Sequence, residues 1–488
     1  MARPPIRRSE VARTHLPRTL QGRCRPDSDF PQLKSTAPDF DTGRHCYLTF
    51  QFAGDNAFRL KARRRAMGRL AMPKLSIASL MVLFSCLVVS FAAHGQGPKL
   101  PADPAKELID GLCLGCHPAN RITRSSGYTR ADWNELIGTM IDLSDKTKDR
   151  DNITKYLATH FPPNKKFAPK LLPGKTRIVF KEWVVPTLGQ RSRDPIEAPD
   201  GTIWWAGQWG NLIGRIDPRT GAMNEYALPE NAMPHTVTLD KTGNVWYTGN
   251  KNATLGKLDP KTGKITEYRM PDPAATDPHS AIFDEKGILW FTLQHSNMVG
   301  RLNPATGDIK LVGMKTPRSK PYGIKIDARG VPWVACNGSN CLVRVDPETM
   351  ALKEIKLPIP ETTVQRLDIA KDGKIWYVNS SQGRLGRYDP KTGEIKEWPS
   401  PNGPKSHPYA IAVIDGIIWY NESRRRPDTL VRFDPRTETF QSWPIPSGGI
   451  YAGIIRHMRP TPDGNLVIHQ SSTNRIMMVM LKNPEATR

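Results

Sequence analysis

Acidic residues and long apolar runs are both scarce in this chain of 488 residues. Only residues 75–93 approach the roughly 20 apolar residues that a membrane-spanning helix needs, which excludes a protein with several membrane helices. The formal charge is +23, yet no basic stripe coincides with a nucleic-acid-binding module, so no nucleic-acid partner is predicted. We expect the basic surface to attract an acidic protein partner.

The start of the chain has the pattern of an export signal. A basic stretch, Arg63 to Lys74, precedes the apolar run, and Ala93, His94 and Gly95 follow it. This order predicts a signal peptide over 67–95 and a periplasmic or secreted protein. Residues 1–66, rich in Arg and Pro, are interpreted as a non-native or disordered extension. An uncleaved signal acting as an anchor is the alternative, and the only predicted membrane contact.

Cysteine is also sparse, with seven in the chain and four after the signal. Two of these stand in Cys113-Leu-Gly-Cys116-His117, the C-x-x-C-H pattern of covalent haem attachment. Thiols three residues apart on one helical turn can bond both vinyl groups of a porphyrin, and the adjacent imidazole then reaches the iron. A zinc site needs a second ligand pair, and none follows. We therefore predict haem c on Cys113 and Cys116, with His117 as an axial ligand.

The second axial ligand is predicted to be Met140. It follows Trp133 and Leu136 at helical spacing, on a stripe that a haem would cover. A further helix, about 151–159, should end at Phe161-Pro-Pro. Residues 96–165 are thus a predicted all-α haem domain. The segments CLGCH, Trp133 to Met140 and YLATHFPP resemble the haem domain of quinohaemoprotein amine dehydrogenase α-type subunits, which implies electron transfer to a redox partner protein.

The rest of the chain repeats. A Gly-x-x-Trp-aromatic motif recurs with its tryptophans 42 to 44 residues apart, and a D-P-x-T-G-type turn follows each copy at 217, 259, 303, 346, 389 and 434. A degenerate seventh copy, without the tryptophan, begins at Asp463. Four short strands in each period of about 43 residues predict a β-propeller, here with seven blades over 175–482. The chain is therefore predicted to be mainly β, with a small all-α cytochrome c domain before the propeller.

The two ends of the repeat array complement each other. The first outer strand, residues 177–186, has no preceding strands of its own, and the last unit lacks an outer strand. We expect the first strand to complete the last blade, which removes the free edges.

The repeats over about 175–482 closely resemble the virginiamycin B (streptogramin) lyase family. The resemblance rests on G-x-[IVL]-W-[YF], on L-G-[RK]-[IL]-D-P-x-T-G and on P-H-x-[IV]. It implies a propeller, and a C–O lyase that opens a lactone with two glutamates on Mg²⁺ and a histidine base. The match is partial: Glu422 fits one glutamate, whereas His407 stands at the other glutamate position and Tyr409 at the base.

A ligand site is predicted at one mouth of the propeller channel, where innermost strands begin and second strands end. The residues at these positions are polar, aromatic and rich in histidine. They include His235, His279, Tyr322, Arg366 and His457. Glu422, His407 and Tyr409 are expected to converge there with His235 and His279, and Glu422 to face several histidines and Arg366, where it could hold a cation or a ligand amine.

Three functions follow as hypotheses. The favoured one is an exported c-type haem protein for electron transfer whose propeller binds an unidentified small molecule or a partner. The alternatives are a Mg²⁺-dependent lyase with an accessory haem domain, and a haem-linked periplasmic dehydrogenase.

The last two cysteines flank a four-residue turn. Cys336 and Cys341 enclose Asn-Gly-Ser-Asn between two strands of one blade. In an oxidising compartment this arrangement predicts a disulfide across the hairpin.

Overall fold

The computed structural model describes residues 99–115, 118–123, 125, 128–163, 168–446 and 455–482. The predicted extension and signal peptide, together with Cys116 and His117, lie outside these ranges. None of the described helices is long and apolar enough to cross a membrane.

Four short helices precede the sheets: α1 (Lys106–Cys113), α2 (Asn120–Thr123), α3 (Arg130–Gly138) and α4 (Thr147–His160). Thr129 and Asp132 form a reciprocal capping box at the start of α3. The further helix predicted at about 151–159 lies inside α4, which ends just before Phe161-Pro162-Pro163 as expected. One apolar cluster joins the helices, including Ile109, Trp133, Leu136, Ile153 and Tyr156.

Twenty-eight strands form seven antiparallel sheets of four strands, so the predicted seven-bladed propeller is confirmed. Strands of blades one to three are β2 (Ser192–Glu197), β3 (Ile203–Gly207), β4 (Leu212–Ile216), β5 (Met223–Ala227), β6 (Pro234–Leu239), β7 (Val245–Gly249), β8 (Thr254–Leu258), β9 (Ile265–Arg269), β10 (Pro278–Phe283), β11 (Leu289–Leu293), β12 (Met298–Leu302) and β13 (Ile309–Gly313).

Strands of blades four to six are β14 (Pro321–Ile326), β15 (Pro332–Cys336), β16 (Cys341–Val345), β17 (Leu352–Lys356), β18 (Val364–Ile369), β19 (Ile375–Asn379), β20 (Arg384–Tyr388), β21 (Ile395–Pro399), β22 (Pro408–Ile414), β23 (Ile417–Glu422), β24 (Thr429–Asp434) and β25 (Thr439–Pro444). Blade seven contains β26 (Met458–Pro460), β27 (Leu466–Gln470), β28 (Arg475–Met480) and β1 (Val179–Val184).

The ring closes through the first strand. β1 pairs antiparallel with β28 from Val179↔Met480 to Val184↔Arg475, so the strand order of blade seven is β1-β28-β27-β26. This confirms the predicted closure. The pairing covers the outer edge of β28, and β1 becomes the outermost strand of blade seven.

The repeated Leu-Gly-Arg/Lys motif has a packing cause. In four blades an aromatic ring of the second strand lies over the glycine of the third strand. A Cβ atom on Gly256 would lie 2.0 Å from Cζ of Tyr247, and one on Gly214 would lie 2.0 Å from the Trp205 ring. The glycine therefore lets the ring lie flat on the neighbouring strand.

Replacing Gly256 with alanine should destabilise the propeller by about 1–3 kcal/mol, because Tyr247 must leave its position over the strand. Urea unfolding measures the loss. Gly313→Ala is the matched control, since no atom lies within 4 Å of the added Cβ. Equal stability of the Gly256 variant and the control would contradict this packing account.

Candidate functional site

A bulge in the innermost strand aims side chains at the channel. In six blades the pairing of the first two strands shifts register just after the first strand begins, for example between Pro278 and Ala281. Such a bulge bends the strand and redirects its side chains. The residues within these bulges are Asp194, His235, His279, Tyr322, Arg366 and Tyr409, each with one neighbour.

Hydroxyl groups from the second strands complete the bulges. The Thr248 hydroxyl accepts from the Thr236 backbone N–H at 3.0 Å and donates to the His279 carbonyl of the next blade at 2.9 Å. The Thr292 hydroxyl likewise donates to the Tyr322 carbonyl at 2.8 Å. Backbone groups that the bulge removes from the ladder are thereby satisfied, and adjacent blades are held together.

Four rings from four blades meet inside the channel. The rings of His235 and His279 have centroids 3.5 Å apart, and Tyr322 lies 4.1 Å from His279. The Tyr322 hydroxyl is hydrogen-bonded to that of Tyr409. Burial lowers the pKa of both His235 and His279 well below the ordinary value, and nearby arginines add to the effect. The stacked imidazoles are therefore neutral.

Asp194 is the buried carboxylate at the centre of this arrangement. Its Oδ2 accepts from the Thr236 hydroxyl at 2.7 Å, from His457 Nδ1 at 3.2 Å and from Arg366 Nη2 at 3.4 Å. Burial acts to raise the pKa of Asp194, but His457 and Arg366 outweigh it and hold the pKa well below its usual range. Of the residues predicted for the mouth, Arg366 and His457 thus contact one carboxylate, His235 Nδ1 lies 4.0 Å from it, and His279 and Tyr322 continue the ring stack from His235.

His469, at the end of a second strand, has a defined tautomer. Its Nε2 accepts the backbone N–H groups of Arg456 and His457, at 3.1 and 3.3 Å. Its Nδ1 therefore carries the proton and donates to the Ser192 carbonyl at 3.0 Å. Burial lowers the pKa of His469 to about 3. Protonation would remove the only acceptor for two backbone donors.

The contacts of Glu422 among the described residues are with Ser400, Asn402 and Thr429, and none of them is with a channel histidine, so the expected convergence stays a prediction. Its carboxylate accepts from the Ser400 hydroxyl at 2.7 Å, the Asn402 backbone N–H at 3.0 Å and the Thr429 hydroxyl at 2.7 Å, and also from the Asn402 amide. Strand alternation places Glu422 on the same face as Tyr420, whose hydroxyl also reaches Ser400.

Other blades obtain an equivalent carboxylate from the outer strand. Glu267 and Glu397 lie opposite Gly256 and Gly386, and each accepts from the tyrosine that covers that glycine. Blade six has Ser442 at this position, opposite Val431. Glu422 supplies the missing carboxylate from the second strand. Asn402, which donates to Glu422, also accepts the backbone N–H of Lys170 in the linker. Its described contacts are structural.

The other two residues assigned by the lyase resemblance lie near each other. The His407 and Tyr409 rings are 5.7 Å apart, and His407 Nδ1 is hydrogen-bonded to the Ser423 hydroxyl at 2.8 Å. Burial lowers the pKa of His407 to about 4. Within the described ranges, no three His, Cys, Asp or Glu side chains are arranged to hold a metal ion. These donors therefore do not fit the expected Mg²⁺ site.

The helical segment contacts the same mouth of the propeller. The Gly189 backbone N–H, just before β2, donates to the Thr139 carbonyl at 3.0 Å. Arg475, at the start of β28, forms an ion pair with Glu135 of α3. Because second strands end and third strands begin at this mouth, both contacts lie at the junction of blades seven and one.

The described residues of the helical segment are compatible with a haem. Cys113 and Met140 both pack, half-buried, against the same apolar cluster. Met140 lies one turn beyond α3 rather than within it, because the helix ends at Gly138, but its N–H still donates to the Ile137 carbonyl. Trp133 Nε1 is buried without an acceptor among the described residues, as expected beside an anionic group of a cofactor.

Cys336 and Cys341 are free thiols in the structure, so the predicted disulfide is not formed there. Their sulfur atoms nevertheless lie 2.9 Å apart, with Cys341 donating to Cys336. The hairpin therefore brings the pair together as the spacing indicated, and the bridge stays a prediction for the exported protein.

Comparisons with known proteins agree with the propeller. Residues 177–345 match the sequence model of the Virginiamycin B lyase family. Virginiamycin B lyase from Staphylococcus aureus is 23% identical, with a TM-score of 0.56, over 63% of this chain and 100% of that one. The same values hold for a catalytically inactive histidine-to-alanine variant of that lyase solved with quinupristin.

A more distant propeller is similar in shape. The WD40 domain of Doa1 is 12% identical, with a TM-score of 0.53, over 64% of this chain and 100% of that domain. No match was found among curated proteins. At these identities the structural similarity shows the fold alone.

Stability should fall as the pH drops from 7.5 to 5. A histidine whose folded pKa lies below its unfolded value of 6.5 binds fewer protons when folded, so its contribution is complete above about pH 6.5 and is lost towards the folded pKa. His469 alone should account for up to about 2 kcal/mol at pH 5. Urea unfolding across this range measures the slope.

The variant His469→Gln should flatten that slope, because the buried imidazole that binds fewer protons in the folded protein is removed. A wild-type stability that is constant between pH 7.5 and 5 would show that the buried histidines take up no protons on unfolding.

In the exported protein, unfolding without reductant should release no thiol from Cys336 and Cys341, and reduction should release two. A thiol-reactive dye under denaturing conditions counts them. Cys341→Ser then exposes one thiol without reductant. Two reactive thiols in unreduced wild type would refute the bridge.

Proposed function

We propose that this protein is an exported c-type haem protein that passes electrons between a small molecule bound at the channel mouth and a redox partner protein. The observation that carries the proposal is the contact between Thr139 and Gly189. It places Met140, the predicted axial ligand, next to the loop that leads into Arg193 and Asp194 of the channel. Electron transfer requires such proximity between a cofactor and a bound donor.

The haem would be held by residues of the helical segment. Cys113 and Cys116 are the attachment thiols, and His117 and Met140 the axial ligands. When bound, the haem supplies one-electron chemistry within the apolar cluster. Trp133 Nε1, which has no acceptor among the described residues, would donate a hydrogen bond to an acceptor on the bound haem.

Lyase activity is a second candidate, because the family model matches residues 177–345. The three residues that the resemblance assigns, however, are Glu422, His407 and Tyr409, and all lie beyond that match. The Glu422 carboxylate accepts a hydrogen bond from Ser400, and His407 Nδ1 is hydrogen-bonded to the Ser423 hydroxyl. We therefore expect purified protein to leave a streptogramin lactone intact, with or without Mg²⁺.

A haem-linked dehydrogenase is a special case of the proposal, in which the bound molecule is itself oxidised. Absorbance of the haem distinguishes it. A substrate of this kind reduces the haem without an added reductant, whereas a ligand that only regulates does not.

Protein exported from a host with a c-type haem maturation system should carry one covalent haem. Cys113→Ala combined with Cys116→Ala should abolish it, because both thioether bonds are lost. Met140→Ala should keep the covalent haem but change the axial-ligand spectrum. The matched control is Met223→Ala in β5, which should alter neither property.

Denaturing electrophoresis with haem staining and absorbance spectra measure these outcomes. Covalent haem in the double variant would refute the attachment site, and an unchanged spectrum in the Met140 variant would assign Met140 to packing alone.

A further inference from the structure

Positive charge is concentrated at the channel mouth. Arg193 and Arg366 are both 3% exposed, and Arg191 and Arg456 lie at the rim. Of these arginines, Arg366 forms an ion pair with Asp194, whose Oδ2 also accepts from His457 and Thr236. Burying several guanidinium groups beside a single carboxylate is unfavourable unless another anion is present.

The other nearby carboxyl groups have their own partners. Asp428 lies 3.5 Å from Arg426, and burial raises its pKa well above the usual value although the charges of Arg426 and Arg456 act to lower it. Glu422 accepts its hydrogen bonds within blade six. Neither group balances the charge of Arg193.

Buried donors at the mouth also lack acceptors. Among the described residues, Arg193 Nε, Arg456 Nη1 and Gln470 Nε2 have no hydrogen-bond partner, although each is shielded from solvent, and the acceptors Asp194 Oδ1 and Gln470 Oε1 have none either. The remaining nitrogens of Arg193 bind Gln208 Oε1, at 2.6 Å, and His235. Unpartnered N–H groups in a buried site are costly, and an acceptor ligand would satisfy them.

Like-charge repulsion gives independent support. Burial lowers the pKa of Arg191 to about 8, and the charges of Arg193 and Arg456 lower it further in the same direction. Arg191 stacks on Trp209, whose side chain is 44% exposed. This rim therefore opens to solvent and attracts anions.

We infer that the channel mouth binds a small oxyanion, a carboxylate or a phosphate, between Arg193 and Arg456. Guanidinium groups match the planar pair of oxygens in such groups and remain charged at neutral pH. Arg366 and Arg456 lie over the rings of Tyr322 and Tyr409, whose hydroxyls are hydrogen-bonded to each other. The inference rests on the proposed function, since it names the ligand class at that same mouth.

Isothermal titration calorimetry of the full-length exported holoprotein tests it, with succinate, inorganic phosphate and neutral succinamide as probes. We expect saturable binding of succinate or phosphate and no binding of succinamide. The anion that binds more tightly shows whether the ligand group is a carboxylate or a phosphate. Arg456→Gln should weaken binding about tenfold or more, since one charged hydrogen bond is lost. Arg219→Gln, an exposed arginine on a turn of blade one, is the control with the same charge change.

Because Arg193 is buried, Arg193→Lys is a second variant that keeps the charge but loses the second donor, and it should also weaken binding. Binding of neither anion, or equal binding by the Arg456 variant and the control, would overturn the inference. The haem spectrum is recorded on the same samples. Anion binding without covalent haem would refute the proposed function alone, and intact haem chemistry without anion binding would refute this inference alone.

Discussion

Pairing of β1 with β28 is the contact on which the rest of the molecule depends. It closes seven similar sheets into a ring, and only a closed ring brings the bulged strands of opposite blades together around Asp194. The same strand follows directly from the linker after α4. The closure therefore also determines where the helical segment lies, at the junction of blades seven and one.

The channel is polar because the bulges direct side chains inward and leave backbone groups to be satisfied. Hydroxyls such as those of Thr248 and Thr292 satisfy them from the next strand. Imidazoles, phenols and guanidiniums then fill the channel around one carboxylate. The result is a buried site with more guanidinium groups than carboxylates, which is the basis for the anion that we propose as its ligand.

Glu422 stands where the family resemblance implies a metal-binding glutamate, but its described hydrogen bonds are with neighbouring residues. The outer strands of two blades provide a glutamate that accepts from a tyrosine, opposite the glycine of the third strand. Blade six has Ser442 at that position. Glu422, on the second strand of the same blade, provides the carboxylate instead. Likeness to virginiamycin B lyase over 177–345 therefore agrees with the shared propeller, while the contacts of this carboxylate belong to the packing of blade six.

The sequence by itself determined the repeat, the number of blades, the turns and the strand that closes the ring, because each depends on local periodicity and on glycine at left-handed positions. It also marked the residues that begin each innermost strand, and hence His235, His279 and Tyr322. Only the tertiary structure decided which side chains share Asp194, which groups bind the Glu422 carboxylate, and that Met140 lies beside the channel mouth. Those outcomes depend on strand faces and ring closure, which join residues more than 200 positions apart, such as Asp194 and His457, and no local pattern encodes such a distance.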